Sequence, residues 1–234
     1  MNDSLLAKPS LGFAIEVADE SLRSQRYSIP DPVVTGVQIL HIASKRPAAE
    51  HLLFQLLPTG ALEEIRLEEM VDLREPGTER FVAFKSDRSF RFLVDDEAKD
   101  WGAQFITGHT LKVLAQVEPA THEVLLLSAQ GNQQIEDGQL FDLGTPGVER
   151  FFTAPLSITV FVNTREAVVH KRALSYWDVV RLEHPGAGPH DTNTTYTVSY
   201  AQGPAENAAG NLLEHQTVHI KQEMEFYVVL TDKS

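Results

Sequence analysis

The chain has no cysteine among its 234 residues. That excludes a disulfide framework, cysteine-ligated zinc and a thiol nucleophile. It has no apolar run near the roughly 20 residues that a membrane helix needs. Its opening, MNDSLLAKPSLG, lacks the basic start and long apolar core of a signal peptide, so a cytoplasmic location is expected. Basic residues are scarce, 20 Lys and Arg against 33 Asp and Glu, for a net charge of −13. A surface that tracks phosphates needs cations to replace counterions, and anionic membranes repel the same charge. No nucleic acid or membrane partner is expected, whereas a basic partner fits. The Gly-x-Ser-x-Gly elbow, the Walker loop and the Gly-x-Gly-x-x-Gly fingerprint are absent as well.

What is present is repetition. VDLREPGTERFV begins at residue 71 and FDLGTPGVERFF at residue 141. Upstream of each lies Thr-Gly before apolar residues at helical spacing. Thr35 leads into Ile39, Leu40 and Ile42; Thr107 leads into Leu111, Val113 and Leu114. A threonine there accepts a hydrogen bond from the first helical turn. The last third carries a fainter copy. Ser175 is the cap, Val179, Val180 and Leu182 follow, Val218 and Ile220 stand for Phe141 and Leu143, and Phe226 stands for Phe151. A period of about 70 residues exceeds most solenoid repeats, and each copy is large enough to be a small domain.

Within the second copy, SFRFLVDD alternates as a half-buried strand. DDEAKD reads as a turn and WGAQFI as the next strand. After the helix, HEVLLLSAQ reads as a strand buried on both faces, and VERFFTAP as the last strand. The aromatic positions Phe90, Phe92, Phe105, Phe141, Phe151 and Phe152 read mostly as core. Copy one repeats the order with FAIEVA, QRYSIP, HLLFQLLP, MVDL and TERFVAF. Copy three does so with ITVFVN, AVVHKRAL, TYTVSYAQ, TVHI and EMEFYVVLT. The fold class is α+β, strand-strand-helix-strand-strand-strand, three times over.

This order resembles the β-grasp of ubiquitin. Ile135-Glu136-Asp137-Gly138 resembles the Leu-Glu-Asp-Gly turn of ubiquitin, and the tandem Thr-Gly and Pro-Gly-x-Glu-Arg-Phe pattern resembles the bacterial multiubiquitin family. The resulting division is a lead at 1–11 and ubiquitin-like domains at 12–86, 87–155 and 156–234. The joints KSDR and TAPL are short, so the domains, each around its own core, are expected to sit against one another or at least to be restricted in orientation. The loop at 185–194 is expected to be mobile.

The resemblance implies a protein modifier or its precursor, not an enzyme, with no cofactor. Its partners would be an adenylating activating enzyme, a conjugating enzyme and a deconjugating peptidase. The reactive group would be the C-terminal carboxylate, carried on Thr231, Asp232, Lys233 and Ser234. The family of ubiquitin usually ends in Gly-Gly, and this chain does not. Self-association into a non-covalent scaffold is the alternative, because sheet edges can pair with another chain. Trp177 is the candidate for recognition of a partner. His184, His190, His215 and His219, near Asp191 and Glu214, show no ligand spacing and are expected to be surface groups rather than a metal site.

Overall fold

The computed structural model describes residues 12–74, 79–128, 130–190 and 194–232. Repeat one contains β1 (Phe13–Ala18), β2 (Ser24–Ile29), β3 (Val33–Thr35), α1 (Gly36–Ile42), β4 (His51–Leu56), β5 (Leu62–Glu64), β6 (Met70–Asp72) and β7 (Glu79–Lys85). Repeat two follows with β8 (Phe90–Val94), β9 (Glu97–Trp101), β10 (Phe105–Thr107), α2 (Gly108–Leu114), β11 (His122–Leu126), β12 (Gln133–Ile135), β13 (Leu140–Asp142) and β14 (Glu149–Pro155). Repeat three has β15 (Ile158–Val162), β16 (Arg165–Val169), β17 (Ala173–Ser175), α3 (Tyr176–Glu183), β18 (Thr194–Ala201), β19 (Gly210–Leu212), β20 (Thr217–His219) and β21 (Met224–Asp232).

Each repeat makes a five-stranded sheet of one order: β2-β1-β7-β4-β5, β9-β8-β14-β11-β12 and β16-β15-β21-β18-β19. The first and last strands pair in parallel at the centre, and a two-stranded ribbon stands beside each sheet. This is the α+β, ubiquitin-like arrangement that the sequence pattern implies.

The helices begin where the sequence supplies a hydroxyl. Thr35, Thr107 and Ser175 accept from the N–H groups of Gln38, Thr110 and Asp178. A four-residue turn between the fifth and sixth strands locks each helix start. Its first N–H donates to the side chain of its fourth residue: Arg66 to Glu69 (3.1 Å), Glu136 to Gln139 (3.2 Å) and Leu213 to Gln216 (3.1 Å). Turn carbonyls then accept from the helix, as when Gly36 donates to Glu69 (3.1 Å) and Tyr176 to Gln216 (3.2 Å). The approach explains the glycine after each threonine: a Cβ would lie 2.5 Å from the Arg66 oxygen at Gly36 and 2.4 Å from the Glu136 oxygen at Gly108. Repeat three has Tyr176 instead, whose ring turns inward and whose hydroxyl donates to the Tyr196 carbonyl (2.6 Å).

Several expectations need correction. The turn after β8 is only Asp95-Asp96, at φ 50° and 64°, and Glu97 already pairs back onto Val94. Aspartate tolerates the left-handed conformation that a two-residue hairpin demands. Asp95 also accepts from the Thr153 N–H (2.7 Å) and hydroxyl (2.8 Å), tying the turn to β14. WGAQFI is therefore the end of β9 and the start of β10, and AVVHKRAL likewise divides into β16 and β17. Phe105 is 48% exposed rather than core. Buried Lys112 follows Leu111 on the inner face of α2, where Val113 was expected.

The largest correction concerns the joint at residue 86. The expectation of one core per domain fails there, because one apolar cluster joins repeats one and two. The sheet of repeat one buries Ile15, Leu53 and Phe81 on its helix side. Its other face presents Phe54, Leu56, Val82 and Phe84, and these pack with Trp101 and Leu114 of repeat two. Phe84 meets Phe54 edge-on at 5.7 Å and Trp101 at 4.6 Å. Beside them the buried Lys99 ammonium donates to the Gly60 carbonyl (3.0 Å). The first two repeats thus form one compact unit, and repeat three with residues 118–122 forms another. The lead at 1–11 and part of the 185–194 loop lie outside the described residues.

Candidate functional site

Both features singled out in the sequence belong to repeat three. The proposed reactive end follows β21, which lies between β15 and β18. Its counterparts β7 and β14 each span seven residues, whereas β21 spans nine. Thr231 and Asp232 still pair with Thr195 and Thr194, so the backbone stays extended to that point. Lys233 and Ser234 lie outside the described residues.

Trp177 is the second residue of α3 and is half-buried against the core of its repeat. Its ring meets Tyr176 at 5.1 Å and Tyr196 at 6.3 Å, both nearly perpendicular, and His184 lies 5.2 Å from Tyr196. Edge-to-face packing of this kind fixes ring orientation. Burial and then the nearby charge of Glu214 push the Tyr176 hydroxyl up from its ordinary value. Burial also pushes the Asp178 carboxyl up, but the Ser175 N–H and hydroxyl and the Lys171 ammonium together hold it below the ordinary carboxylate value.

The sheet face of repeat three turned away from α3 carries Phe161, Tyr227 and Val229, with Tyr227 40% and Val229 58% exposed. The Tyr227 hydroxyl donates to Glu225, and that bond raises its pKa. In the other unit a groove of about 590 Å³ lies between Phe84, Phe90, Gly102 and Phe105. Of the charges on its rim, Arg88 pairs with Asp87 and Lys85 with Glu50.

Among the described residues no three His, Asp or Glu side chains gather as a metal site. His184 is engaged by Tyr196, and Asp191 lies outside the described residues. No described helix is long and apolar enough to cross a membrane. Pattern reading missed the two buried lysines, Lys99 and Lys112. Lys112 pairs with Asp137 of the turn that locks α2, where repeat one places Leu40 and Leu67.

Comparison with protein families finds a match to the multiubiquitin model at residues 22–86, 90–155 and 158–232. The first matched segment begins after β1, and the three segments together span most of the chain. No curated protein matches.

Proposed function

Because this chain belongs to the multiubiquitin family, we propose that it is a ubiquitin-like protein modifier, or its precursor, in a bacterial conjugation pathway. Its C-terminal carboxylate attacks the α-phosphorus of ATP in a partner adenylating enzyme, forming an acyl-adenylate and releasing pyrophosphate. A partner nucleophile then takes the acyl group and releases AMP. The chain supplies the tag, and a conjugating enzyme and a deconjugating peptidase complete the cycle in the cytoplasm.

The observation that supports this reading is the extension of β21. Repeats one and two use the equivalent strand to pass directly into the next repeat, whereas β21 continues as paired extended chain through Asp232. A strand anchored at the centre of a sheet presents its end in a fixed direction, which favours positioning in another active site. Entry requires the pairs of Thr231 and Asp232 to open first, and strand ends fray readily. The test is incubation with the cognate activating enzyme and ATP, followed by mass spectrometry. An adduct through the terminal carboxylate, lost on deletion of 231–234, is expected. Undiminished adducts after that deletion overturn the proposal.

The joint of repeats one and two favours a second reading, a non-covalent scaffold. It shows that one sheet face of this fold accepts another copy of the fold. Light scattering across concentration separates the two: a rising mass supports the scaffold, and a constant monomer mass argues against it.

A further inference from the structure

The turn that locks the helix of repeat three carries an exposed acid, Glu214, that belongs to no ion pair among the described residues. In repeats one and two the second residue of the helix donates to the second residue of the locking turn, Val37 to Leu67 (2.9 Å) and His109 to Asp137 (3.1 Å). The same two positions in repeat three are Trp177 and Glu214. The fifth helical residue is buried in every repeat: Leu40 in repeat one, Lys112 in repeat two, Val180 in repeat three. Repeat one thus places Leu40 and Leu67 in one apolar cluster. Repeat two meets an acid with an internal ammonium, Lys112 against Asp137. Repeat three keeps the acid but supplies a valine.

The ion pairs of repeat three among the described residues are Arg165–Glu183 and Lys171–Asp178, and neither includes Glu214. Glu214 is exposed, while Val180 is fully buried and carries no charge. The turn that carries Glu214 lies against the start of α3, where the Tyr176 N–H donates to the Gln216 carbonyl (3.2 Å) and the Leu213 N–H to the Gln216 side chain (3.1 Å). Trp177 is half-buried and held by Tyr176 and Tyr196. An indole held at the helix start and an exposed carboxylate on the turn that closes that start suit a guanidinium or ammonium, which gains both cation–π attraction and an ion pair.

We propose that Trp177 and Glu214 form a docking point for a basic segment of a partner protein, one arginine or lysine side chain lying between indole and carboxylate. Repeat two meets the acid of its turn with an internal ammonium; in repeat three the exposed acid is met by a cation from outside. The net charge of −13 draws such a segment in from a distance, and the local pair selects where it sits. Repeats one and two lack the site, since they have Val37 with Leu67 and His109 with an already paired Asp137.

The experiment uses the full chain and an acetylated Gly-Arg repeat peptide, with a citrulline version as the uncharged match. Calorimetry gives the affinity, and tryptophan fluorescence gives the location, because the only other tryptophan, Trp101, is fully buried. Saturable binding of the arginine peptide with a fluorescence change is expected, and none with citrulline. Glu214→Gln and Trp177→Leu should each weaken binding about three- to tenfold. Glu64→Gln removes an exposed acid of repeat one and should leave the affinity within about twofold. Should Trp177→Leu perturb folding, the comparison of Glu214→Gln with Glu64→Gln decides. Absence of binding, equal losses from both glutamine variants, or an unchanged affinity in folded Trp177→Leu overturns the proposal.

Discussion

Gly60 is the most economical test of the joint between repeats one and two. It lies in the turn between β4 and β5 at φ +74°, and a Cβ there would come within 2.6 Å of the Leu114 carbonyl in repeat two. Gly60→Ala therefore carries two costs. The left-handed backbone costs about 1 kcal/mol for alanine. Relief of the backbone contact displaces the turn, weakening the Lys99–Gly60 bond and the bond from Gln116 to Pro58. A charged hydrogen bond lost beside a buried ammonium costs about 1.5–3 kcal/mol. The sum is about 3 kcal/mol, or about 6–12 °C in the Tm of a unit this size. Gly60→Asn separates the two costs, since asparagine tolerates the left-handed region but carries the same Cβ. It should lose about 2 kcal/mol. Denaturant unfolding of the full chain gives the energies, and hydrogen exchange at Trp101 and Leu114 shows whether the loss reaches repeat two. If Gly60→Asn matches the unmodified chain, or if exchange changes in repeat one alone, the shared core is refuted.

Three further outcomes follow from the same geometry. Asp137→Ala leaves the Lys112 ammonium buried without its carboxylate and should cost about 2–4 kcal/mol, while Lys112→Leu with Asp137→Leu, copying Leu40 and Leu67, should be neutral or stabilising in denaturant melts. Thr107→Ala should cost about 1 kcal/mol through the lost cap of α2, read in the same melts. The folded Asp178 carboxyl titrates below its ordinary value, so its stabilisation is present above the unfolded pKa of 3.8 and is lost as pH falls through the depressed folded value. Asp178→Asn should reduce stability at pH 7 and flatten its decline below pH 4, as measured by melts across pH.

Legibility followed the range of the physics involved. Helix starts depend on one hydroxyl and the next few N–H groups, so Thr35, Thr107 and Ser175 could be located from the sequence alone. The hairpin of β8 and β9 was misplaced because acidic residues read as a loop, whereas two left-handed aspartates suffice to reverse the chain. Lys112 was invisible for a different reason. A single lysine on a helix reads as solvent-facing, and only the equivalence with Leu40 and Val180 marks the position as interior. At the candidate site Trp177 was identified, but Glu214 was noted only as a neighbour of histidines. Its place in the proposed docking point follows from an ion pair that repeat two has at the equivalent turn position.

The sheet faces turned away from the helices show how far the copies have diverged. Leu52 and Phe54 of repeat one face Phe84 and Val82 across the ladder, and repeat two covers Phe54, Val82 and Phe84. At the same positions repeat three has Thr197 and Ser199 facing Val229 and Tyr227. Exposed Leu and Phe in that place would form a contiguous apolar patch, which soluble proteins rarely leave open. The exchange to Thr and Ser keeps the ladder, because hydroxyl and β-branched residues suit a strand, but removes much of the apolar area that joins repeats one and two. The outer sheet face of repeat one thus serves cohesion, whereas that of repeat three meets solvent. Repeat three leaves Tyr227 and Val229 of this face exposed, and β21 stays paired with β18 through Asp232.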